Sequence, residues 1–435
     1  ALLSRFAWQH GALSSGTPRA FLLPLLCVLL WAVVSRRRAV AAGVTGLAPL
    51  LYPAAALIGL GLLGSRLVSI RGFRPSLSGE RADWLAFAAA LALVAASLAP
   101  GQLAAAPWGP TVAADQARAM PEFGPDGHSA FFVPDWYTYW VRANRSGLDL
   151  AVVDARNRAI PILYEHAALA ALLPLALLFR RRLPAARRLS GRTIVLVHLL
   201  AVSFGLFFLA HVLLFQLYLP GRYVKWSLPL VLSIAAGLGL AILAEEIARR
   251  VRRPLRPGIA AALGLGCGLV LLAYPGRWQG KFLPDPNPAL TAHLRSQPKD
   301  VLIAGTPRET DFVPTLAGRS VLASREYTLP YHLTYYAVIQ RRTFDLIDAY
   351  YADSPERIVE VADRYGVGLF LVNRSAFDPR RFSDAWGSDF EPYASAVRAK
   401  LDGRGRYALL DAARHCGAEV GGIAAVPTDC LRGLR

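Results

Sequence analysis

Apolar runs alternate with arginine clusters along the first 274 residues, and beyond them the sustained hydrophobicity stops. A helix that crosses a bilayer needs about 20 predominantly apolar residues. Runs of that kind lie at 19–35, 83–99, 161–179, 193–219, 227–244 and 258–274. The stretch 39–64 is also apolar but is interrupted by Pro49 and Pro53. It is expected to form a Pro-broken hairpin that enters and leaves on one side, with a single span as the alternative. The fold class expected from this pattern is a polytopic α-helical membrane bundle of about six to eight spans, followed by a small extracytoplasmic α/β domain. The boundaries are 1–274 for the helical domain, with an extracytoplasmic loop at 100–160, and 275–435 for the α/β domain.

In the second region the pattern changes to short strands and amphipathic helices. Strands are expected at 301–304, 320–323, 367–372 and 407–410, and helices at 333–352, 354–365 and 391–401. Ser354 is placed to cap a helix that Gly366 ends. Strands alternating with helices point to an α/β fold of two or three layers. No glycine-rich phosphate loop follows a strand, which argues against nucleotide binding.

Charge settles the orientation. The chain of 435 residues carries a net charge of +18. Four short loops, at 36–38, 66–83, 180–192 and 245–256, hold 14 of those charges, while 100–160 sums to −1 and 275–435 to +2. Basic loops beside apolar runs are the positive-inside signature. They place 66–83, 180–192 and 245–256 in the cytoplasm and both 100–160 and 275–435 outside. No separate basic fold is present, so nucleic acid is not an expected partner and membrane lipids are. Arginine-rich, lysine-poor composition with many Ala, Gly and Pro residues suggests a GC-rich bacterial genome, and with the apolar spans a bacterial inner membrane is expected. The chain opens on Ala1 with no basic segment ahead of its first apolar run, so an N-terminal part is expected to be missing. Cys416 and Cys430 are candidates for a disulfide in an oxidising compartment.

Chemistry-bearing residues fall into three groups. The stretch 211–226 places His211, Arg222, Tyr223 and Lys225 around a Pro220–Gly221 turn on the outer side. Cations there, against the charge rule, suit lipid phosphate, with interface snorkelling as the plain alternative. Glu165 and His166 lie near the outer end of 161–179, and His198 sits deeper in 193–219. In the loop, Asp126, His128 and Asp135 are close in sequence; such carboxylates accept protons or bind a divalent metal, though their spacing matches no metal motif. Beyond the strand at 301–304 come Arg308, Glu309, Asp311, Arg319, Glu326 and His332. Open α/β folds hold ligands at such strand ends, and a solvated loop explains the same residues equally well.

The layout of spans, outer loop and outer α/β domain resembles the GT-C superfamily of membrane glycosyltransferases. The strings most alike are YLPGRYVKWSLPL at 218–230, AGTPRETDFVPTLAGRSVLASRE at 304–326 and AYYADSPERIVEVADRYGVGLFLV at 349–372. The resemblance implies transfer of a sugar from a polyprenyl-phosphate donor to a lipid, glycan or protein acceptor on the outer face. It implies cations for the departing phosphate, a role Arg222 and Lys225 match by position, and a carboxylate base. That base usually lies in the first outer loop, yet no Asp or Glu precedes Glu80. Asp126, Asp135 and Glu165 are the remaining candidates. A non-catalytic membrane protein whose outer domain binds a glycan or protein partner is the alternative. A transporter is disfavoured because no pair of broken half-helices repeats in two halves of the chain.

Overall fold

The computed structural model describes residues 18–71, 74–149, 152–153, 159–160, 168–189, 191–250, 258, 261–262, 264–266, 285–401 and 406–434. The chain divides into two compact units, Ala1–Ala105 with Asp135–Lys281, and Ala106–Pro134 with Phe282–Arg435. Residues of the loop expected at 100–160 are therefore shared between both units.

The first unit is helical. Its main helices are α1 (Leu22–Val34), α2 (Arg38–Leu51), α3 (Pro53–Ser65), α4 (Arg81–Ala105), α5 (Leu172–Leu178), α6 (Val195–Val212) and α7 (Ser227–Arg250). Two short antiparallel ribbons accompany them, β1 (Val68–Arg71) with β2 (Arg74–Leu77), and β3 (Val152–Val153) with β4 (Ala159–Ile160). Among the described residues three helices are long and apolar enough to cross a membrane, at Arg81–Ala104, Gly191–Val212 and Gly221–Arg250. The runs expected at 19–35 and 39–64 become helices of 13 or 14 residues, roughly 20 Å long and short of the ~30 Å hydrocarbon core. Most of the run at 258–274 and the first part of 161–179 lie outside the described residues.

Proline chemistry accounts for the break at 39–64. Tyr52 precedes Pro53 and is extended, as the proline ring demands of its neighbour, and Pro53 then opens α3 where its missing N–H costs nothing. A Cβ on Gly59 would come within 2.7 Å of Thr45 Oγ1. These two residues lie equally far from Tyr52 on either side, so α2 and α3 fold back on one another as a hairpin. Small residues allow such close backbone approach between helices in lipid. Arg38, at the start of α2, bonds Asp83 (2.5 Å) and Glu80 near the start of α4. The outward faces stay apolar: Leu85, Leu103 and Val212 are 70%, 77% and 78% exposed. A surface of that kind calls for a lipid or protein covering.

The second unit is a three-layer α/β fold. Five strands, β5 (Leu302–Gly305), β6 (Ser320–Val321), β7 (Val367–Val372), β8 (Ala418–Val420) and β9 (Ile423–Pro427), form one mixed sheet in the order β6-β5-β7-β9-β8. β5 is parallel to both β6 and β7, and β9 is antiparallel to β7. Side chains alternate between the faces. Ile303, Leu369, Leu371, Ile423 and Ala425 pack with α8 (Pro288–Ser296). Ala304, Phe370, Val372, Ala424 and Val426 enter the larger core beneath α9 (Leu333–Tyr350), α10 (Pro355–Tyr365), α11 (Tyr393–Leu401), α12 (Ala408–Cys416) and α13 (Thr428–Gly433).

Gly366 takes a left-handed conformation (φ +74°) and stops α10, although the Ser354 side chain makes no capping bond. The strand expected at 407–410 is instead the start of α12, whose buried Leu409, Ala412 and Ala413 follow helical spacing over a window longer than four residues. The β8–β9 hairpin turns on Gly421 and Gly422 (φ +58° and +80°), the conformations that a tight two-residue hairpin requires.

Candidate functional site

The sheet order places the site. From β5 the chain moves to β6 on one side, then crosses back over β5 to β7 on the other. The carboxyl ends of β5 and β7 therefore flank a topological switch point, where adjoining connections diverge and leave a crevice. A cavity of about 400 Å³ occupies it. Arg308 and Glu309 follow β5 and Asn373–Ser375 follows β7, while α8, the Gly421–Gly422 turn and the apolar group Phe312, Val313, Leu316 and Ala317 form further walls.

Within the crevice Glu309 is buried. The Thr306 hydroxyl donates to its Oε2, and Asn373 Nδ2 donates to its Oε1 at 2.7 Å. Asn373 Oδ1 in turn accepts from the Ser375 amide and hydroxyl at 3.0 and 2.8 Å. Burial raises the Glu309 carboxyl above the usual range, against the lowering pull of these two donors. Arg308, Arg374 and Arg381 also line the crevice with exposed side chains. Arg374 reaches Glu419 at 3.3 Å, Arg381 reaches Asp384 at 3.5 Å, and Arg308 donates to the Asp384 carbonyl at 3.2 Å. Asp285, Asn287 and Thr291 add to the polar lining. The arrangement suits an anion carrying hydroxyl groups: planar cations for the charge, and amide, hydroxyl and carboxyl groups for the rest.

Of the six residues proposed from sequence beyond the strand at 301–304, Arg308 and Glu309 meet in the crevice. Asp311 does not line it; its Oδ1 accepts from the Arg325 and Glu326 amides at 2.8 and 3.3 Å, and burial raises its carboxyl. Arg319 donates to the carbonyls of Arg295 and Gln297, both at 2.6 Å. Glu326 and His332 are exposed, His332 at the start of α9, where its backbone bridges to Thr111. Asn373, Ser375, Arg374, Arg381, Asp285 and Asn287 were not read from sequence. The one signal for them is that residues 373–375 follow a strong buried strand, as Arg308 and Glu309 do.

In the helical unit the Pro220–Gly221 turn is packed, not open. Lys225 Nζ lies 2.8 Å from Asp149 Oδ2. The Gly221 amide donates to the Arg145 carbonyl at 2.9 Å, and the Tyr223 hydroxyl donates to the Leu217 carbonyl at 2.9 Å. His211 Nδ1 is 2.9 Å from the Phe207 carbonyl, and Trp140 stacks on its ring at 4.7 Å. Arg222 is half-buried, and its buried Nε has no hydrogen-bond partner among the described residues. His198 Nδ1 lies 3.3 Å from the Ser65 hydroxyl.

The loop carboxylates separate. Asp135 belongs to the helical unit and Asp126 to the α/β unit, and both are exposed. Asp135 Oδ2 accepts from the Thr138 amide at 2.6 Å, and bonds from Thr138 hold its carboxyl below the usual range. His128 meets the Phe390 ring edge-on. Glu165 and His166 lie outside the described residues. Among the described residues no three His, Cys, Asp or Glu side chains converge to hold a metal ion. Cys416 and Cys430 are joined in a disulfide with Cα atoms 6.3 Å apart.

A second polar cluster of the α/β unit also escaped the sequence. Glu122 is buried and accepts from the Tyr336 hydroxyl, which is 2.9 Å from the Tyr393 hydroxyl. Burial pushes both tyrosines above their ordinary range.

No protein-family model matches the chain, and a search of curated proteins finds no match.

Proposed function

We propose that this is an integral membrane protein whose α/β unit lies outside the cytoplasm and binds an acidic sugar, phosphorylated or carboxylated, in the crevice at the ends of β5 and β7. The observation that carries the reading is that crevice: about 400 Å³ at the reversal of strand order, with three arginines and a buried glutamate in its walls. Three helices of spanning length support the membrane placement. The Cys416–Cys430 disulfide and the positive-inside charge pattern support an outer location for this unit, in a bacterial inner membrane.

The test is calorimetric titration of the full chain in detergent with glucose 6-phosphate, glucuronate and glucose. Acidic sugars are expected to bind, glucose not, and the Arg308→Ala/Arg374→Ala pair to abolish binding. Equal heats for glucose and its phosphate, or no heat for any of them, would reject the proposal.

One observation favours a second reading, sugar transfer from a polyprenyl-phosphate donor. Arg222 is half-buried and its buried Nε has no hydrogen-bond partner among the described residues, so this guanidinium keeps unused donor capacity of the kind a lipid phosphate takes. Asp126, Asp135 or Glu165 would then supply the base. Radiolabelled sugar transfer in membranes, lost on Arg222→Ala at equal expression, tests it.

A further inference from the structure

A different cavity lies in the helical unit, at the end of the bundle where arginines gather. It measures about 870 Å³ and is lined by the C-terminal ends of α1 and α3 and the start of α6. Val33, Leu62, Val195, Val197 and Ala201 give it apolar walls, and Arg36, Arg66 and Arg192 supply three cations. A second groove of about 360 Å³ shares Val34, Arg192 and Val195 with it and continues over Leu30, Trp31, Ile234 and Leu238. Among the described residues no carboxylate lines either one.

Arg36 and Arg66 are only partly engaged. Arg36 lies 3.9 Å from Glu80, and Arg66 lies 3.9 Å from Asp83. Both acids are also bound by Arg38. Arg66 further donates to the Val33 carbonyl at 3.3 Å, and Arg192 to the Val34 carbonyl at 3.2 Å. A guanidinium has five N–H donors, so these contacts leave capacity for an anion at Arg36 and Arg66. We infer that this groove binds an anionic phospholipid, with its phosphate on Arg36, Arg66 and Arg192 and an acyl chain along the Leu30–Leu238 groove. Free phosphate would satisfy the arginines and leave the apolar walls uncovered. A lipid covers both, and basic pockets between spanning helices hold anionic headgroups for this reason. The inference rests on the proposed membrane placement. By the charge pattern this is the cytoplasmic end, away from the Pro220–Gly221 turn.

The experiment uses the full chain in nanodiscs of equimolar phosphatidylglycerol and phosphatidylcholine, followed by native mass spectrometry of lipids retained on release. Phosphatidylglycerol should be retained in preference. Arg66→Gln/Arg192→Gln should lower that preference about fivefold for each arginine. Leu238→Trp should reduce retention of lipid without altering charge, and it keeps the test decisive if the double variant does not fold. Inorganic phosphate should not displace the lipid. Equal retention of both lipids by the unaltered chain, an unchanged preference in the double variant, or displacement by free phosphate would overturn the site. Release of the chain from membranes by alkaline carbonate would instead overturn the membrane placement, and this inference with it.

Discussion

Lys225 Nζ lies 2.8 Å from Asp149 Oδ2, with the two side chains only 7% and 9% exposed. The pair joins the residues after the Pro220–Gly221 turn to the end of the segment 135–149. Gly221 reinforces the junction, since a Cβ there would come within 2.7 Å of the Asn144 carbonyl and 2.8 Å of the Gly147 carbonyl. A cation expected to meet lipid phosphate is thus already neutralised within the protein.

Removing one member strands the other as a buried charge. Lys225→Met is expected to cost about 3 to 5 kcal/mol, and adding Asp149→Leu should recover most of it, because an apolar pair carries no desolvation penalty. Denaturant midpoints of the chain in detergent measure both. A double variant no more stable than Lys225→Met would show that the ion pair is not the source of the loss.

Glu309 makes the stability of the α/β unit depend on pH. Burial, the largest influence, raises its folded value, and Asp311 is raised for the same reason. Above the unfolded glutamate value of about 4.3 the folded state retains a proton that the unfolded chain has lost. Its contribution is therefore full below that value and declines as pH rises through the folded value. Glu309→Gln keeps an acceptor for Asn373 and never ionises. Its thermal midpoint should match the unaltered chain at the acid end and exceed it at neutral pH. Parallel pH curves for the two proteins would refute this assignment.

What the sequence reveals depends on the range over which each interaction acts. The α10 boundary and β7 are legible because Gly366 and an unbroken apolar run act locally. The same local reading gives a strand at 407–410, since four apolar residues carry no period. It also passed over the Gly421–Gly422 hairpin, although two glycines between Val420 and Ile423 are a turn signal. The crevice was half legible: Arg308 and Glu309 follow a visible strand, but only the reversal of strand order brings Asn373, Arg381 and Asn287 to them. Partners distant in sequence, such as Lys225 with Asp149 or Glu122 with Tyr336, leave no local trace.

The Cys416–Cys430 bridge closes a loop around the β8–β9 hairpin, with a sequence separation of 14. A loop of about 15 residues corresponds to ~3 kcal/mol in the chain-entropy account. Cys416→Ser should lower stability by about that amount. In a Cys27→Ser/Cys267→Ser background, maleimide-PEG should label the chain taken from cells only after reduction. Labelling without reduction would place these cysteines in a reducing compartment and count against an outer location.

Glu122 and Tyr336 provide the sharpest contrast between two similar substitutions. The Tyr336 hydroxyl donates to Glu122 Oε1 and also meets the Tyr393 hydroxyl, whereas Gln340 Nε2 reaches the same carboxylate oxygen only at 3.4 Å. Glu122 Oε2 is buried without a hydrogen-bond partner among the described residues. Tyr336→Phe therefore leaves a buried carboxyl with one long contact, at a cost of about 3 kcal/mol, the upper part of the range for an unsatisfied buried group. Tyr393→Phe removes one neutral bond and leaves the carboxyl its tyrosine donor, so about 1 kcal/mol is expected. Glu122→Gln combined with Tyr336→Phe should recover part of the larger loss, because a neutral amide is less costly to bury than a carboxylate. Equal losses for the two tyrosine variants in denaturant melts would mean that the Glu122 carboxyl does not depend on Tyr336.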